Sequence, residues 1–273
     1  MRTVTKVIRW LVLGLIVFAG LVVLMLSFET YLVYPAPRAD VGDYDATRLG
    51  AEEVWFESQD GTQLHGWLFA QDGNRHRVVF FHGNGENVAL VGPEAQLLSR
   101  LLGADILLFD YRGYGKSEGS PHEKGVVADG VAAVNWMSNR YDIDANQVVY
   151  LGRSLGGGVA VQICADMPPR ALILVSNFSS MVDVAAGAFP WLPVRWLMRN
   201  RYDSVSAIAN CQSALLQIHG TRDRMIPIAL GEKLFAASPC EAKAFIRAEG
   251  FGHNDLALEE YASEIRQFLD GID

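Results

Sequence analysis

Residues 148–158 have the sequence Val-Val-Tyr-Leu-Gly-Arg-Ser-Leu-Gly-Gly-Gly. The four apolar residues at the start predict a buried strand, and a G-x-S-x-G pattern begins where that strand ends. Glycines surround Ser154 because so tight a turn leaves little space for side chains. The turn holds the serine hydroxyl at the N-terminus of the next helix, where the helix dipole favours developing negative charge. The stretch therefore predicts a strand, a turn and a helix, with Ser154 as a nucleophile.

The other apolar runs predict the sheet around this unit. Two early runs, at 54–57 and 64–69, flank the turn signal Asp60-Gly61 and predict a hairpin. Later short runs, rich in β-branched or aromatic residues, lie at 78–81, 106–109, 148–151, 172–175, 215–218 and 245–246. Continuous apolar runs indicate strands buried on both faces, and helix-length stretches separate them. We therefore predict a mostly parallel α/β sheet with an antiparallel N-terminal edge and helices on both faces.

Composition excludes several classes of function. The chain has 273 residues and a formal charge of −8, which disfavours nucleic acid as a partner. Three scattered cysteines suit neither a zinc site nor a disulfide scaffold. No P-loop, no dinucleotide fingerprint between a strand and a helix and no H-E-x-x-H pattern occurs in the sequence. We therefore expect neither a metal nor an organic cofactor.

A serine nucleophile needs a base and a group that orients the base. After Ser154 the sequence contains two histidines, His219 and His253. On this kind of sheet the expected order is serine, acid, histidine, and His219 precedes the best acid, so His253 is the predicted base. That acid is Asp223, which follows a strand at the edge where functional groups of α/β sheets collect. Asp183 is the alternative acid.

Acyl transfer also needs backbone N–H groups that stabilise the oxyanion of the tetrahedral intermediate, and the sequence predicts two of them. One belongs to Leu155, directly after the nucleophile. The other comes from the glycine-rich loop at 80–85, where Asn84 is our choice and the neighbouring Gly85 is the alternative. His82 lies in the same loop but precedes Ser154, so we expect it to order the loop.

Residues 177–206 form an insertion that is too long for a simple connection. Its aromatic content argues against disorder, and we predict a helical lid. Phe189, Trp191 and Trp196 are the predicted substrate-binding residues, lining a pocket for an acyl chain. The alternative is that these aromatic residues simply cover the sheet.

Several segments together resemble the α/β-hydrolase family in their order and spacing. They are 82–85 (HGNG), 110–117 (DYRGYGKS), 152–156 (GRSLG), 219–223 (HGTRD) and 252–253 (GH). More narrowly they look like the membrane-anchored "α/β-hydrolase domain-containing" branch, which includes lipid hydrolases and acyl-protein depalmitoylases. The resemblance implies a triad of Ser154, Asp223 and His253, and a structural turn at 110–117.

The first 50 residues have the pattern of a membrane anchor. Residues 10–28 carry no charge and, at about 1.5 Å per residue, match a hydrocarbon core of roughly 30 Å. Basic residues precede them and acidic residues follow, which predicts an N-terminus inside and the remainder outside the cytoplasm. We predict a cytoplasmic tail at 1–9, an anchor at 10–28, a linker at 29–50 and a catalytic domain at 51–273. The stretch 34–37 (YPAP) should break the helix, so the linker is extended from there onward. A cleaved signal peptide and a soluble helix are the alternatives.

The predicted function is that of a membrane-anchored serine hydrolase. Its substrate is a small molecule or lipid with an ester, thioester or related acyl bond. An aminopeptidase-like enzyme of the same fold is one alternative, although it favours an acidic group in the pocket where the lid offers arginines. A non-catalytic binding or scaffold protein is the other alternative.

The three cysteines allow one disulfide. Cys211 and Cys240 precede strands that we expect to be neighbours, by four and five residues, at the amino-terminal edge of the sheet. Pairing these two would leave Cys164 as a buried thiol. Three unpaired, mostly buried cysteines are the alternative, and we favour it over this pairing.

Overall fold

The computed structural model describes residues 2–272, with side chains from residue 3 onward. Met1 of the predicted tail and Asp273 of the predicted catalytic domain lie outside the described residues. The described strands form one sheet in the order β1-β2-β4-β3-β5-β6-β7-β8. They are β1 (Glu52–Glu57), β2 (Gln63–Phe69), β3 (His76–Phe81), β4 (Ala104–Phe109), β5 (Val148–Arg153), β6 (Ala171–Val175), β7 (Ala214–Gly220) and β8 (Lys243–Ala248).

The pairing of the strands confirms the predicted architecture. β1 and β2 are antiparallel, and β2 is antiparallel to β4. Every pairing from β4 through β3 to β8 is parallel. The antiparallel edge is the predicted hairpin, which closes at a Gly61 whose φ is positive.

Helices cover both faces of the sheet. They are α1 (Arg2–Ser27), α2 (Glu29–Val33), α3 (Val88–Leu102), α4 (Glu123–Tyr141), α5 (Leu155–Cys164), α6 (Met181–Ala188), α7 (Val194–Leu197), α8 (Ser204–Ile208), α9 (Ile228–Ala237) and α10 (Ala262–Gly271). α3 and α10 pack on one face, whereas α4, α5, α8 and α9 pack on the other. Each face of the sheet has its own hydrophobic core, and the side chains of β3 alternate between them. Val78 and Phe80 pack in one core, and Val79 and Phe81 pack in the other. Each such side chain stabilises the fold by about 1.5–3 kcal/mol, which explains the continuous apolar runs.

The segment predicted as an extended linker is packed against the domain, which corrects that expectation. Residues 29–33 form α2, and Val33 and Tyr34 are buried in the core. The Tyr34 hydroxyl lies 2.9 Å from the hydroxyl of Tyr202 and donates to Asn200 Oδ1 at 2.9 Å. The sequence could not indicate these contacts because they join residues more than 160 positions apart.

Both predictions for the cysteines, three unpaired thiols and a Cys211–Cys240 bond, are wrong. Cys164 pairs with Cys211, their Cα atoms being 5.7 Å apart, and Cys240 is a buried free cysteine. α5 ends at Cys164 and packs against α8, which ends three residues before Cys211. Helix packing above the sheet therefore decides the pair, whereas the prediction considered only the spacing of strands.

Candidate active site

The turn between β5 and α5 holds Ser154 in a strained conformation. Its φ is 52° and its ψ is −116°, a region that residues with side chains rarely adopt. Its backbone N–H donates to Val175 O on β6 at 2.9 Å. A Cβ at Gly156 would overlap the backbone of Phe81, and one at Gly152 would lie 2.5 Å from Gly157 Cα. The glycines therefore let the turn pack against β3, as the sequence predicts.

The structure brings Ser154, His253 and Asp223 together at the carboxyl ends of three strands. His253 Nε2 lies 3.1 Å from Ser154 Oγ, and His253 Nδ1 lies 2.7 Å from Asp223 Oδ2. Asp223 Oδ1 accepts the backbone N–H groups of Met225 at 2.9 Å and Ile226 at 2.8 Å. The three side chains thus have the hydrogen-bond geometry of a nucleophile, a base and an orienting acid.

Asp223 is set to remain ionised. Burial acts to raise its pKa, but hydrogen bonds from His219, His253 and the Ile226 N–H outweigh burial and hold the pKa well below the ordinary carboxyl value. His219 Nε2 donates to Ile226 O at 2.8 Å and lies 3.4 Å from Asp223 Oδ2. The sequence argument rejected His219 as the base but missed this supporting position.

Asp183, the alternative acid, belongs to a different cluster. It accepts from Ser179 Oγ at 2.7 Å, Arg195 Nη1 at 2.8 Å and Lys233 Nζ at 2.9 Å. Although burial opposes the change, the bonds from Lys233 and Ser179 lower the pKa of Asp183 to about 2. The carboxylate has no hydrogen bond to His253 among the described residues.

Asn84 and Leu155, whose backbone N–H groups are the predicted oxyanion donors, line the same cavity as Ser154. Within the described part of the chain neither N–H has a hydrogen-bond acceptor. Gly85, the alternative donor, directs its N–H to Asn84 Oδ1 at 3.2 Å. The Asn84 side chain is fixed because Tyr114 donates to its Oδ1 at 2.8 Å and its Nδ2 donates to Val33 O at 2.6 Å. This arrangement favours Asn84 over Gly85.

An ion-pair cluster ties the nucleophile turn to this loop. Arg153 Nη2 lies 3.0 Å from Glu86 Oε1, and Arg153 Nη1 lies 2.8 Å from Glu94 Oε2. Glu86 Oε2 in turn accepts the Gly83 N–H at 2.6 Å. The sequence argument missed this cluster, since the only signal was a charged residue inside the G-x-S-x-G pattern. Its partners lie about 60 positions upstream.

His82 orders the loop, as its position predicts. Its ring is fully buried beside Tyr111, and its Nδ1 lies 2.8 Å from Gly83 O. Burial lowers the pKa of His82, which favours the neutral ring. Tyr111 lies in the 110–117 turn, and its hydroxyl donates a hydrogen bond to His82 O at 3.0 Å. The turn thus supports the loop, as the resemblance implies.

A cavity of about 260 Å³ opens at Ser154 and is lined mainly by apolar side chains. Lid residues on its wall include Met181, Val184, Phe189, Leu192, Leu197 and Met198. Trp191 and Trp196 are not among the lining residues and are 54% and 89% exposed, which corrects two of the three predicted pocket residues. In α7 the helical period turns Val194 and Leu197 toward the cavity, so Trp196 faces away.

Comparison with known proteins decides the family. The model of the alpha/beta hydrolase fold matches residues 76–207. The chain is 32% identical to the alpha/beta hydrolase domain-containing protein WAV2 of Arabidopsis thaliana, over 94% of this chain and 92% of that protein. The chain belongs to the α/β-hydrolase family. The chain is also 36% identical to the uncharacterized protein Rv2307c of Mycobacterium tuberculosis, over 93% of this chain and 92% of that protein.

Solved structures agree with the fold of this chain. The esterase Pf2001 of Pyrococcus furiosus superposes with a TM-score of 0.71 at 19% identity. The match covers 86% of this chain and 98% of the esterase. At this identity the likeness concerns the fold alone, so the chemistry must be argued from the site itself.

Proposed function

We propose that the chain is a serine hydrolase that cleaves an ester, thioester or related acyl bond of a lipid or small molecule. The observation that carries the proposal is the continuous hydrogen-bonded series from Asp223 through His253 to Ser154, which ends at an apolar cavity. Esterases among the structural neighbours are consistent with this class of reaction.

In the proposed reaction Ser154 Oγ attacks the acyl carbonyl while His253 Nε2 accepts the serine proton. Asp223 stabilises the imidazolium that forms and fixes its Nδ1–H toward the carboxylate. The N–H groups of Leu155 and Asn84 bind the oxyanion of the tetrahedral intermediate. His253 then protonates the leaving alcohol, thiol or amine, and an acyl-enzyme remains. Water attacks this ester by the same steps in reverse and releases the acid.

A covalent probe tests the nucleophile. A fluorophosphonate should label the wild-type protein and fail to label Ser154→Ala, because only an activated serine displaces fluoride at a useful rate. Ser180→Ala is a matched control, since Ser180 caps α6 through a hydrogen bond to Asp183 N and lies outside the triad. Equal labelling of Ser154→Ala and wild type would refute Ser154 as the nucleophile, and labelling of neither would favour the non-catalytic alternative.

The apolar lining supports an acyl chain as the group that the cavity binds. Each methylene that enters contributes about 0.8 kcal/mol, so kcat/KM should rise about fourfold per methylene until the cavity is full. A series of p-nitrophenyl esters from acetyl to dodecanoyl measures this directly. Medium-chain esters should exceed the acetyl ester, and a profile that is flat or falls from acetyl contradicts the proposal.

One observation favours a peptidase as the second candidate. Glu29 lines the cavity and is 7% exposed, and its Oε2 has no hydrogen-bond partner within the described residues. An acidic group is what an enzyme needs to bind a substrate's free amine, and Glu29 lies outside the lid segment on which the sequence argument relied. Turnover of aminoacyl p-nitroanilides against the matched acyl esters separates the two candidates. Faster turnover of the anilides would favour the peptidase.

We also propose that α1 anchors the chain in a membrane. Within residues 2–272 it is the one helix long and apolar enough to cross a bilayer, and its most apolar window is not buried. A cleaved signal sequence has the same properties. Mass spectrometry of the protein purified from membranes distinguishes them, because a retained anchor leaves peptides from the first 28 residues in the mature chain.

A further inference from the structure

The last turns of α1 and the whole of α2 form one side of the cavity at Ser154. The contributing residues are Val22, Met25, Leu26, Glu29, Leu32 and Val33. Their spacing of three and four positions places most of them on one helical face. Val23 and Leu24, which lie between them, are 62% and 53% exposed. This face is therefore part of the pocket, whereas the rest of α1 is free to contact lipid.

Polar contacts fix this wall in place. Glu29 Oε1 accepts the backbone N–H groups of Arg199 at 2.9 Å and Asn200 at 2.8 Å, and also Asn200 Nδ2 at 2.9 Å. These bonds join α2 to the segment that follows the lid helix α7. On the other side, Val33 O accepts from Asn84 Nδ2 in the loop that offers the oxyanion donor. The N-terminal segment is thus bound to both halves of the site and does not act as a loose tether.

The position of the wall along α1 determines what enters the cavity. Val22 lies five residues before the end of α1, which is about 7.5 Å along the helix axis. If α1 spans a bilayer, this level is just inside the hydrocarbon boundary. An acyl chain that lies in the membrane would therefore meet the apolar opening beside Val22 and Met25 without crossing water.

We propose that α1 forms a wall of the acyl pocket and guides the chain of a bilayer-resident acyl ester to Ser154. The inference rests on the proposed function and adds the substrate class, a long-chain lipid ester or thioester held in the membrane. It also makes Val22, Met25 and Leu26 residues that determine chain length.

A pair of substitutions on α1 tests the wall in the full-length protein. Met25→Trp places a larger side chain in the cavity, whereas Leu24→Trp makes the same kind of change on the exposed face. With p-nitrophenyl esters in detergent, Met25→Trp should lower the ratio of dodecanoyl to acetyl kcat/KM at least tenfold. A loss of this size corresponds to excluding about two methylenes from the cavity, because each one changes kcat/KM about fourfold. Leu24→Trp should leave the ratio within twofold of wild type, and equal ratios in the two variants would overturn the inference.

A cross-linking experiment on the wild-type protein does not depend on the folding of a variant. The probe is an alkyl fluorophosphonate with a diazirine at the end of its chain. Ser154 Oγ forms a bond to phosphorus, fluoride leaves, and the serine proton passes to His253. On irradiation the diazirine loses dinitrogen and its carbene inserts into the nearest residue. We expect the tryptic peptide 10–38 to carry the cross-link, and a cross-link confined to peptide 171–195 would contradict a wall made by α1.

A vesicle experiment tests the route through the bilayer. The full-length protein in phosphatidylcholine vesicles is offered a hexadecyl fluorophosphonate either in the same vesicles or in separate ones. Labelling should be at least tenfold faster in shared vesicles, and equal rates would overturn lateral entry. A short-chain, water-soluble fluorophosphonate serves as the reference. If the short-chain probe labels Ser154 but the acyl-chain ratio, the cross-link and the vesicle rates do not come out as expected, only this inference fails. If the short-chain probe does not label Ser154, the proposed function itself fails.

Discussion

Replacing Asp223 by asparagine should abolish most of the activity through a change of tautomer. In the structure Asp223 Oδ1 accepts two backbone N–H groups, from Met225 at 2.9 Å and Ile226 at 2.8 Å. An asparagine must keep its carbonyl oxygen at that position, because its NH₂ group cannot accept those bonds. The NH₂ group then replaces Oδ2, which lies 2.7 Å from His253 Nδ1. His253 Nδ1 must accept this bond, so the ring proton moves to Nε2.

A proton on Nε2 leaves His253 unable to take the proton of Ser154, 3.1 Å away. The corresponding change in a serine protease lowers kcat about 10⁴-fold, and we expect a loss of that order here. A 10⁴-fold loss in kcat corresponds to about 5 kcal/mol of lost transition-state stabilisation. Both backbone hydrogen bonds survive the substitution, so the protein should still fold at neutral pH.

The assay compares kcat for p-nitrophenyl butyrate and the rate of fluorophosphonate labelling in three proteins. These are the wild type, Asp223→Asn and Asp183→Asn, with folding verified by circular dichroism. Asp183 bonds Ser179, Arg195 and Lys233 and not His253, so its substitution should cost less than tenfold. Equal losses in the two variants would refute the assignment of the acid. A folded Asp223→Asn that retains a tenth of wild-type kcat would refute the tautomer argument.

Five further outcomes are expected. Thiol titration of the denatured, unreduced protein should find one free thiol, that of Cys240, and three would contradict the Cys164–Cys211 bond. That bond closes a separation of 47 residues, so reduction should lower the free energy of unfolding by about 4 kcal/mol in the chain-entropy treatment. Arg153→Gln removes the positive charge that pairs with two partly buried carboxylates and should cost about 1–2 kcal/mol in urea unfolding together with a lower kcat, whereas an unchanged midpoint would contradict the cluster's role. Because the folded pKa of Asp223 is depressed, its contribution to stability is present above an unfolded pKa of about 3.9 and is lost as pH falls toward the folded value. The difference in unfolding free energy between wild type and Asp223→Asn should therefore shrink on acidification from about pH 6 to about pH 3, and a constant difference would contradict it. A C-terminal alkaline phosphatase fusion in a bacterial host should be active if the domain lies outside the cytoplasm, and an active cytoplasmic reporter instead would overturn that orientation.

Local patterns in the sequence determined the sheet and the nucleophile turn. Continuous apolar runs require strands that are buried on both faces, and the family comparisons and the described sheet agree with that prediction. Order along the chain also identified Ser154, Asp223 and His253, because the fold places the carboxyl ends of β5, β7 and β8 at one edge. The geometry there is compatible with the proposed triad, whose catalytic role stays a prediction.

The sequence did not predict which segments that are distant along the chain come into contact. Helix packing, and not strand spacing, selected Cys164 as the partner of Cys211, and the helical phase of α7 turned Trp196 to solvent. Glu29 lay in a segment interpreted as a linker, yet it bonds Asn200 across 171 positions and borders the cavity. Periodicity tells which face of an element is apolar, but it does not tell which partner covers that face. Only the tertiary structure decides that pairing, because it depends on how all elements share the limited surface of one core.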